Sequence, residues 1–318
     1  MTQAVGVFSK LNMGFEGTFK SSPTDGFILP VNSSGIKASR AKNSPETIRG
    51  NRNAAEPFDG NLEVSGSIVV PVDSLAFWYW LKAMFGVPTT TGSSSPYTHE
   101  FKVGNSMPSI AIENQFTNIA TPLYALFNGC KIKSFKMDLG GDGELTASID
   151  VAGAKQTIGT SSFDATPTTI AMSRLKNSQV SITEGGTTLP NGTKLSINVD
   201  FGLDTSQYVI GSGGELGAIP EGIVKVSGNL TTLFEDATLL TKAINSTESN
   251  LVATISAGSA SQLIIELNEL QYALTAPTID GPKGIQASLD FQAYYTDGTD
   301  ASAIVATLIN SAEHAGGI

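Results

Sequence analysis

From Gly60 to Asp73 the chain reads GNLEVSGSIVVPVD, with Leu62, Val64, Ile68 and Val70 on one side and Glu63, Ser65 and Ser67 on the other. A period of two predicts a half-buried strand. The same reading predicts strands in IKASRA, YTHEFKV, SIAIENQF, KIKSFKMDL and ELTASIDVAG. In the last of these Leu145, Ala147, Ile149 and Val151 face inward, and Glu144, Thr146, Ser148 and Asp150 face out. SLAFWYWLKAMF breaks the alternation. It is apolar nearly all round, follows Asp73 and ends at Gly86, which predicts a capped, buried helix.

The pattern then repeats. Residues 222–235 read GIVKVSGNLTTLFE, and setting Gly222 on Gly60 brings Val226, Ser227 and Gly228 onto Val64, Ser65 and Gly66. NGTKLSINVDF stands where SGIKASRA stood, and the polar loop GLDTSQYVIGSGGELGAIPEG stands where KNSPETIRGNRNAAEPFDG stood. ATLLTKAI is a weaker helix, SQLIIELNEL is matched to SIAIENQF, and GIQASLDFQAYYTD to GELTASIDVAGA. The offset falls from 162 to 140 as the hairpins shorten. Matched element order predicts a mainly β chain with two tandem β-sandwich domains, each with a flanking helix, related by internal duplication. The expected boundaries are an N-terminal arm (1–34) with one strand-like piece, a first domain (35–155), a linker (156–172) and a second domain (173–318). The alternative is chance similarity between β-rich segments.

Composition narrows the function. With 33 Gly, 15% charged residues and 40% hydrophobic residues, the chain suits a turn-rich β protein rather than a disordered one. A single cysteine, Cys130, excludes an intramolecular disulfide and reads as core. The start lacks a signal-peptide pattern and SLAFWYWL is too short to span a bilayer, so synthesis in a cytoplasm and no membrane insertion are expected. Residues 1–160 carry 13 basic and 13 acidic side chains; residues 161–318 carry 6 and 16, hence the whole net charge of −10. Neither half offers the basic surface that phosphate binding needs.

Catalytic chemistry finds no foothold. His99 and His314 lack partners at metal-ligand spacing, and no Gly-x-Ser-x-Gly elbow is present. The loop around Gly211–Gly217 lacks the Lys-Ser/Thr of a phosphate loop, and DGTDASA lacks calcium-loop spacing. Trp78, Tyr79 and Trp80 read as core or interface on their helix. No enzyme, metal or cofactor is expected. A self-assembling block remains, because sheet edges carry unpaired N–H and C=O groups that a ring of subunits can satisfy. A receptor-binding, adhesin-like β-sandwich surface protein is the alternative.

The succession of GFEGTF, ILP, GNLEVSGSIVVPVD, SLAFWYWLKAMFG, the YTHEF hairpin and SIAIENQF resembles the tail tube proteins of long-tailed bacteriophages, from about Met13 to Tyr295. The resemblance implies a virion protein whose domains form six-membered rings, with inner sheets joined into one barrel and rings stacked into a tube for DNA delivery. Its partners would be further copies of itself and the tape measure, tail terminator and tail tip proteins, and DNA would pass without specific binding. Two domains per chain would make the ring a homotrimer with pseudo-sixfold symmetry. The alternative is a homohexamer with the second copy outside. Glu144, Thr146, Ser148, Asp150, Gln286, Ser288 and Asp290 are then lumen candidates. The arm and residues 41–60, with their counterpart 203–221, would make ring-to-ring contacts. Lys42, Arg49 and Arg52 are stacking candidates, with Glu215 and Glu221 as acidic partners. Lys131 and Lys133 alternate so that they also reach the lumen.

Overall fold

The computed structural model describes residues 3–279, 281–296 and 302–314. The first stretch of chain contributes β1 (Lys10–Phe15), β2 (Phe27–Leu29), β3 (Ser33–Ser34), β4 (Lys37–Asn43), β5 (Phe58–Pro71), helix α1 (Phe77–Phe85), β6 (Thr89–Thr91), β7 (Tyr97–Lys102), β8 (Ile110–Phe116), β9 (Leu123–Leu139), β10 (Thr146–Gly153), β11 (Lys155–Gly159) and β12 (Thr168–Thr169). The remainder contributes β13 (Val180–Glu184), β14 (Thr187–Thr188), β15 (Gly192–Asp200), β16 (Lys225–Leu233), helix α2 (Thr238–Ile244), β17 (Ser249–Ser256), β18 (Gln262–Tyr272), β19 (Gln286–Ala293) and β20 (Val305–Asn310). The protein is mainly β, as its alternating pattern predicts.

One antiparallel sheet runs through both parts of the chain in the order β4–β5–β10–β9–β15–β16–β19. Its middle joint pairs β9 with β15, from Leu139 opposite Leu195 to Ser134 opposite Asp200. Two further sheets carry the remaining long strands: β2–β1–β8–β9–β11, which shares β9, and β6–β7–β20–β18–β17–β13. The core lies on the apolar side of the first sheet. Ile68, Phe135, Ile149, Leu195, Ile197, Leu230 and Leu289 are all buried in it.

Two ladders in the first sheet carry one register. In β5–β10, Ile68 faces Ile149, Ser67 faces Asp150 and Gly66 faces Val151. In β16–β19, Leu230 faces Leu289, Asn229 faces Asp290 and Gly228 faces Phe291. The repeated glycines meet the same obstacle. A Cβ on Gly66 would lie 2.3 Å from the carbonyl oxygen of Gly35, and one on Gly228 would lie 2.1 Å from that of Ser196 and 2.4 Å from the Phe291 ring. Both positions require close backbone approach, which only glycine permits.

Helix α1 forms where expected, with all nine residues buried. Asp73 Oδ1 accepts from the N–H groups of Leu75 and Ala76 at 2.7 Å, and Gly86 closes the helix at φ 90°. Two expectations change. The arm's strand is Lys10–Phe15, which pairs with β8 and buries Leu11 and Met13, so this piece belongs to a sheet. SQLIIELNEL is not the counterpart of SIAIENQF in pairing. That strand, β8, lies between β1 and β9, as β17 lies between β13 and β18. The long β18 pairs with β17, β19 and β20, as β9 pairs with β8, β10 and β11. Both arms of a hairpin alternate alike, so alternation does not tell one from the other.

Candidate assembly surfaces

The far side of the seven-stranded sheet is mostly polar along its long strands, with Val69 and the covered Ala152 as its apolar positions. Opposed residues of an antiparallel pair point to one face, so the face is read along its rows. One row runs Ser67, Asp150, Ser134, Asp200 and Lys225. The next runs Val69, Ser148, Lys136, Asn198, Ser227 and Gln292. A third joins Asp138, Ser196, Asn229 and Asp290. A concavity of about 650 Å³ opens over its second-half end, with Ser196, Ser227, Asn229 and Asp290 in its wall.

Hydrogen bonds within this face hold the polar side chains against the sheet. Ser134 Oγ donates to Asp150 Oδ2 at 2.8 Å, Asn229 Nδ2 to Asp290 Oδ1 at 2.7 Å, and Ser288 Oγ to Asn229 Oδ1 at 3.0 Å. Lys136 lies 3.6 Å from Asp138, and Lys194 lies 3.9 Å from it. A bulge in β9 sets both Lys133 and Ser134 opposite Asp150, and Lys133 is exposed. The cations Lys133, Lys136, Lys194 and Lys225 equal Asp138, Asp150, Asp200 and Asp290 in number, and Lys37 and Glu63, exposed at outward positions of β4 and β5, add one charge of each sign.

Of the sequence-derived lumen candidates, Thr146, Ser148, Asp150, Gln286, Ser288 and Asp290 lie at outward positions of β10 and β19, all half-buried or exposed. Glu144 precedes β10 and is bound sideways by Asn32 at 2.6 Å and Arg174 at 3.1 Å. Asp138, Lys136, Asn198 and Asn229 were not singled out from sequence. Their alternation carried the signal, but nothing local says that β9 and β15 are neighbours.

The two long loops differ. Lys42, Arg49 and Arg52 are exposed: Lys42 pairs with Asp59, and Arg49 donates to the Ala54 carbonyl at 2.9 Å. Ile48 in that loop is 96% exposed. Residues 203–221 instead lie against the first half. Leu216 and Ile219 pack with Ala152 and Ala154, while Phe19, Leu203 and Tyr208 close over them. Leu62 N–H and Arg40 donate to the carbonyls of Gly214 and Gly213, at 2.8 and 2.7 Å. Glu215 pairs with Lys20 at 2.8 Å, and Glu221 accepts from Lys131 and from Met107 N–H. Burial pushes the Glu221 carboxyl up, but the Lys131 ammonium and the Met107 N–H outweigh it and hold it below its ordinary value. Both glutamates, expected as stacking partners, are therefore engaged within the chain. Lys131 is taken by this clamp.

The histidines are structural. His99 is fully buried, 2.8 Å from Thr90 Oγ1 and 3.0 Å from the Ala312 carbonyl, and His314 stacks on Trp78 at 4.4 Å. Burial, then the neighbouring His99 and Lys82, depress His314 to about 4, so it is neutral at physiological pH. Cys130 is buried in the core, as expected, and burial followed by the Glu16 charge raises its thiol. Among the described residues no cluster of His, Cys, Asp or Glu could hold a metal ion. Residues 297–301 of the DGTDASA run lie outside the described residues.

No curated protein matches the chain. The family model described as phage tail tube protein matches residues 9–293, nearly the whole chain and both loops. That family is structural and non-enzymatic, located in the virion tail, and its members assemble with themselves into a tube. A β chain with a continuous polar sheet face and open sheet edges is thus a structural component of a phage tail, and it belongs to the phage tail tube protein family.

Proposed function

We propose that each chain supplies two tail-tube units, that three chains close a ring with pseudo-sixfold symmetry, and that stacked rings form a conduit for DNA. The observation that carries this reading is the shared register of the β5–β10 and β16–β19 ladders, down to two glycines that meet equivalent carbonyls. Offsets of 162 for Ile68 to Leu230 and 140 for Ile149 to Leu289 agree with those found by aligning the sequence alone. The unit boundaries follow as the arm to 34, a first unit 35–155, a linker 156–172 and a second unit 173–318, with β1 pairing into the first unit's sheet. A homohexamer with the second unit outside the ring is disfavoured by β9–β15, which makes the second unit's sheet an extension of the first's. Head-to-tail joints are heterologous and close into rings.

The polar face of the seven-stranded sheet is the proposed lumen wall. A lysine-rich wall would bind phosphate and release counterions, retarding the DNA. Cations and anions are equal in number across the rows, and most of the remaining positions are Ser, Asn and Gln, so net attraction is small. Glu144 belongs at the rim of this wall. The exposed loop with Lys42, Arg49 and Arg52 is the proposed ring-to-ring contact. Glu215 and Glu221 serve it by fixing the neighbouring loop. Tape measure, terminator and tail tip proteins are the remaining proposed partners.

Electron microscopy of concentrated protein, viewed along the tube axis, tests the reading. Hollow rings of three chains are expected. Rings of six chains would overturn the pseudo-hexamer, and a fixed particle that fails to extend a tail-tip seed would favour the adhesin-like alternative.

A further inference from the structure

One long loop is already docked inside the chain. Residues 203–221 follow β15 and lie on the end of the first half's sheet, where Leu216 and Ile219 pack with Ala152 and Ala154. This loop carries Asp204, Glu215 and Glu221 and no basic residue. It lands on cations: Lys20 holds Glu215, Lys131 holds Glu221, and Arg40 donates to the Gly213 carbonyl.

The row beneath it, Ser65–Ala152–Lys131, has a counterpart in Ser227–Gln292–Gln271, at the same offsets of 162 and 140. There the space is open. The concavity of about 650 Å³ has Ser227, Gln271, Gln292 and Tyr294 in its wall. The charge is reversed as well. That wall carries Asp290 and, among the described residues, no lysine or arginine. Tyr294 donates through its hydroxyl to Glu248 at 2.7 Å and through its N–H to the Glu269 carbonyl. The bond to Glu248, burial and the charges of Glu248 and Glu269 push the Tyr294 phenol up to about 12.

The counterpart of loop 203–221 is the tip of the β4–β5 hairpin, residues 44–57. Its crown, TIRGNRNA (47–54), holds Arg49 and Arg52 and no acidic residue. Ile48 beside Arg49 is 96% exposed, whereas Leu216 beside Glu215 is 3% exposed. Resting on the ring reading above, we propose that this crown docks in the open concavity of the neighbouring copy in the ring. Ile48 lies against Gln292 and Tyr294 of that copy, and Arg49 and Arg52 lie on its Glu248–Glu269 rim. The contact repeats between chains the one that 203–221 makes within a chain, with its charges exchanged. Exchange sets the order of halves. The acidic loop is repelled from the acidic end, and the crown from Lys20 and Lys131, so each half accepts only the other kind beside it. The rim charges are exposed and contribute little attraction singly; the discrimination comes from repulsion in the wrong order. The far side of the docked crown stays open to the next ring.

Equivalence fixes the pair to be tested: Leu216 on Ala152 becomes Ile48 on Gln292 of the neighbour. Ile48→Cys with Gln292→Cys, both at exposed positions, is assembled into tubes and oxidised mildly; Cys130 is buried and stays out of the reaction. The expected result is a shift of the denatured, non-reduced band from one chain to a closed set of three, which neither single variant reaches. A second arm reads the charges without a cross-link. Arg49→Glu with Arg52→Glu should stop ring closure while the chain stays folded, and adding Glu248→Lys with Glu269→Lys should restore it. Rings of three that form with no cross-link would overturn the docking alone, as would closure unchanged by reversal of both arginines. A ladder that runs past three chains would put the crown on the next ring and overturn it too. Wild-type protein that makes no ring would overturn the ring reading and the docking with it.

Discussion

Helices α1 and α2 occupy the same place in the chain's order, after a long strand and before a hairpin, yet they are held by different forces. All nine residues of α1 are buried, with Phe77 6.2 Å from Phe135 and Phe85 5.8 Å from Phe201. In α2 only Ala243 is buried. At the offset of 162, Trp80 corresponds to Lys242, whose ammonium reaches Glu184 at 2.8 and 2.9 Å and Ser249 at 2.9 Å. One helix is fixed by aromatic packing. The other is pinned by an ion pair beside an unfilled cavity. The difference teaches that a common order of elements does not require a common core: α1 is packed by aromatic rings from both halves of the chain, whereas α2 lies at the surface beside a cavity.

The largest test of that contrast is Trp80→Ala. Trp80 is 1% exposed, so truncation removes transfer energy and leaves a cavity, with an expected loss of about 3–5 kcal/mol in urea unfolding. Glu184→Ala should follow at about 2 kcal/mol. It leaves the Lys242 ammonium unpaired, but Lys242 keeps partial access to water, which puts the loss below that of a fully buried pair. An equal loss for both would mean that α2 is as deeply packed as α1, against its exposure pattern.

The repeated glycines sharpen the comparison from the other side. Gly66→Ala and Gly228→Ala each press a methyl group into a backbone carbonyl, and each should cost about 1–3 kcal/mol. Similar losses in midpoint denaturation would support one geometry in the two halves. A neutral Gly228→Ala beside a damaging Gly66→Ala would separate them.

How far these features were legible from sequence depends on their range. Helix α1, the strand from Leu62 to Val70 and the outward Ser148, Asp150, Ser288 and Asp290 follow from local periodicity and capping. The β9–β15 joint, the β7–β20 pair and the fold of residues 203–221 onto the first half do not, because strand neighbours are chosen by tertiary packing. For the same reason Glu215 and Glu221 read as free acidic partners, although Lys20 and Lys131 of the same chain bind them. Gly66 and Gly228 were visible as a repeat, and their purpose appears only once Gly35 and Ser196 are seen beside them.

The clamp of residues 203–221 predicts a smaller, pH-dependent effect. Glu221 is depressed in the folded chain, so its stabilisation is fully present above the ordinary carboxylate value and is lost as pH falls from there through the lower folded value. Glu16 and Asp73, raised chiefly by burial, have the opposite sign and offset part of that loss. Glu221→Gln should cost about 0.2–1 kcal/mol at pH 7 and almost nothing near pH 3. The wild type and variant unfolding curves should therefore converge on acidification; a gap independent of pH would remove the ion pair as its cause.

The smallest expected change in stability belongs to the proposed lumen wall. Ser148→Lys and Ser288→Lys alter outward positions of β10 and β19, and each should stay within about 0.5 kcal/mol of wild type; Ser288→Lys also gives up the bond to Asn229. Their effect should appear in transport. Each adds an unmatched cation to a face whose lysines and acidic side chains are equal in number, and an unmatched cation gains counterion release on meeting phosphate. DNA ejection from phage carrying both substitutions should slow, and the delay should shrink as salt is raised. Ser148 sits in the first half and Ser288 at its counterpart, so each single variant should delay ejection by a similar amount if both halves line one wall. A delay from Ser148→Lys alone would put the second half outside the lumen and return the ring to six chains.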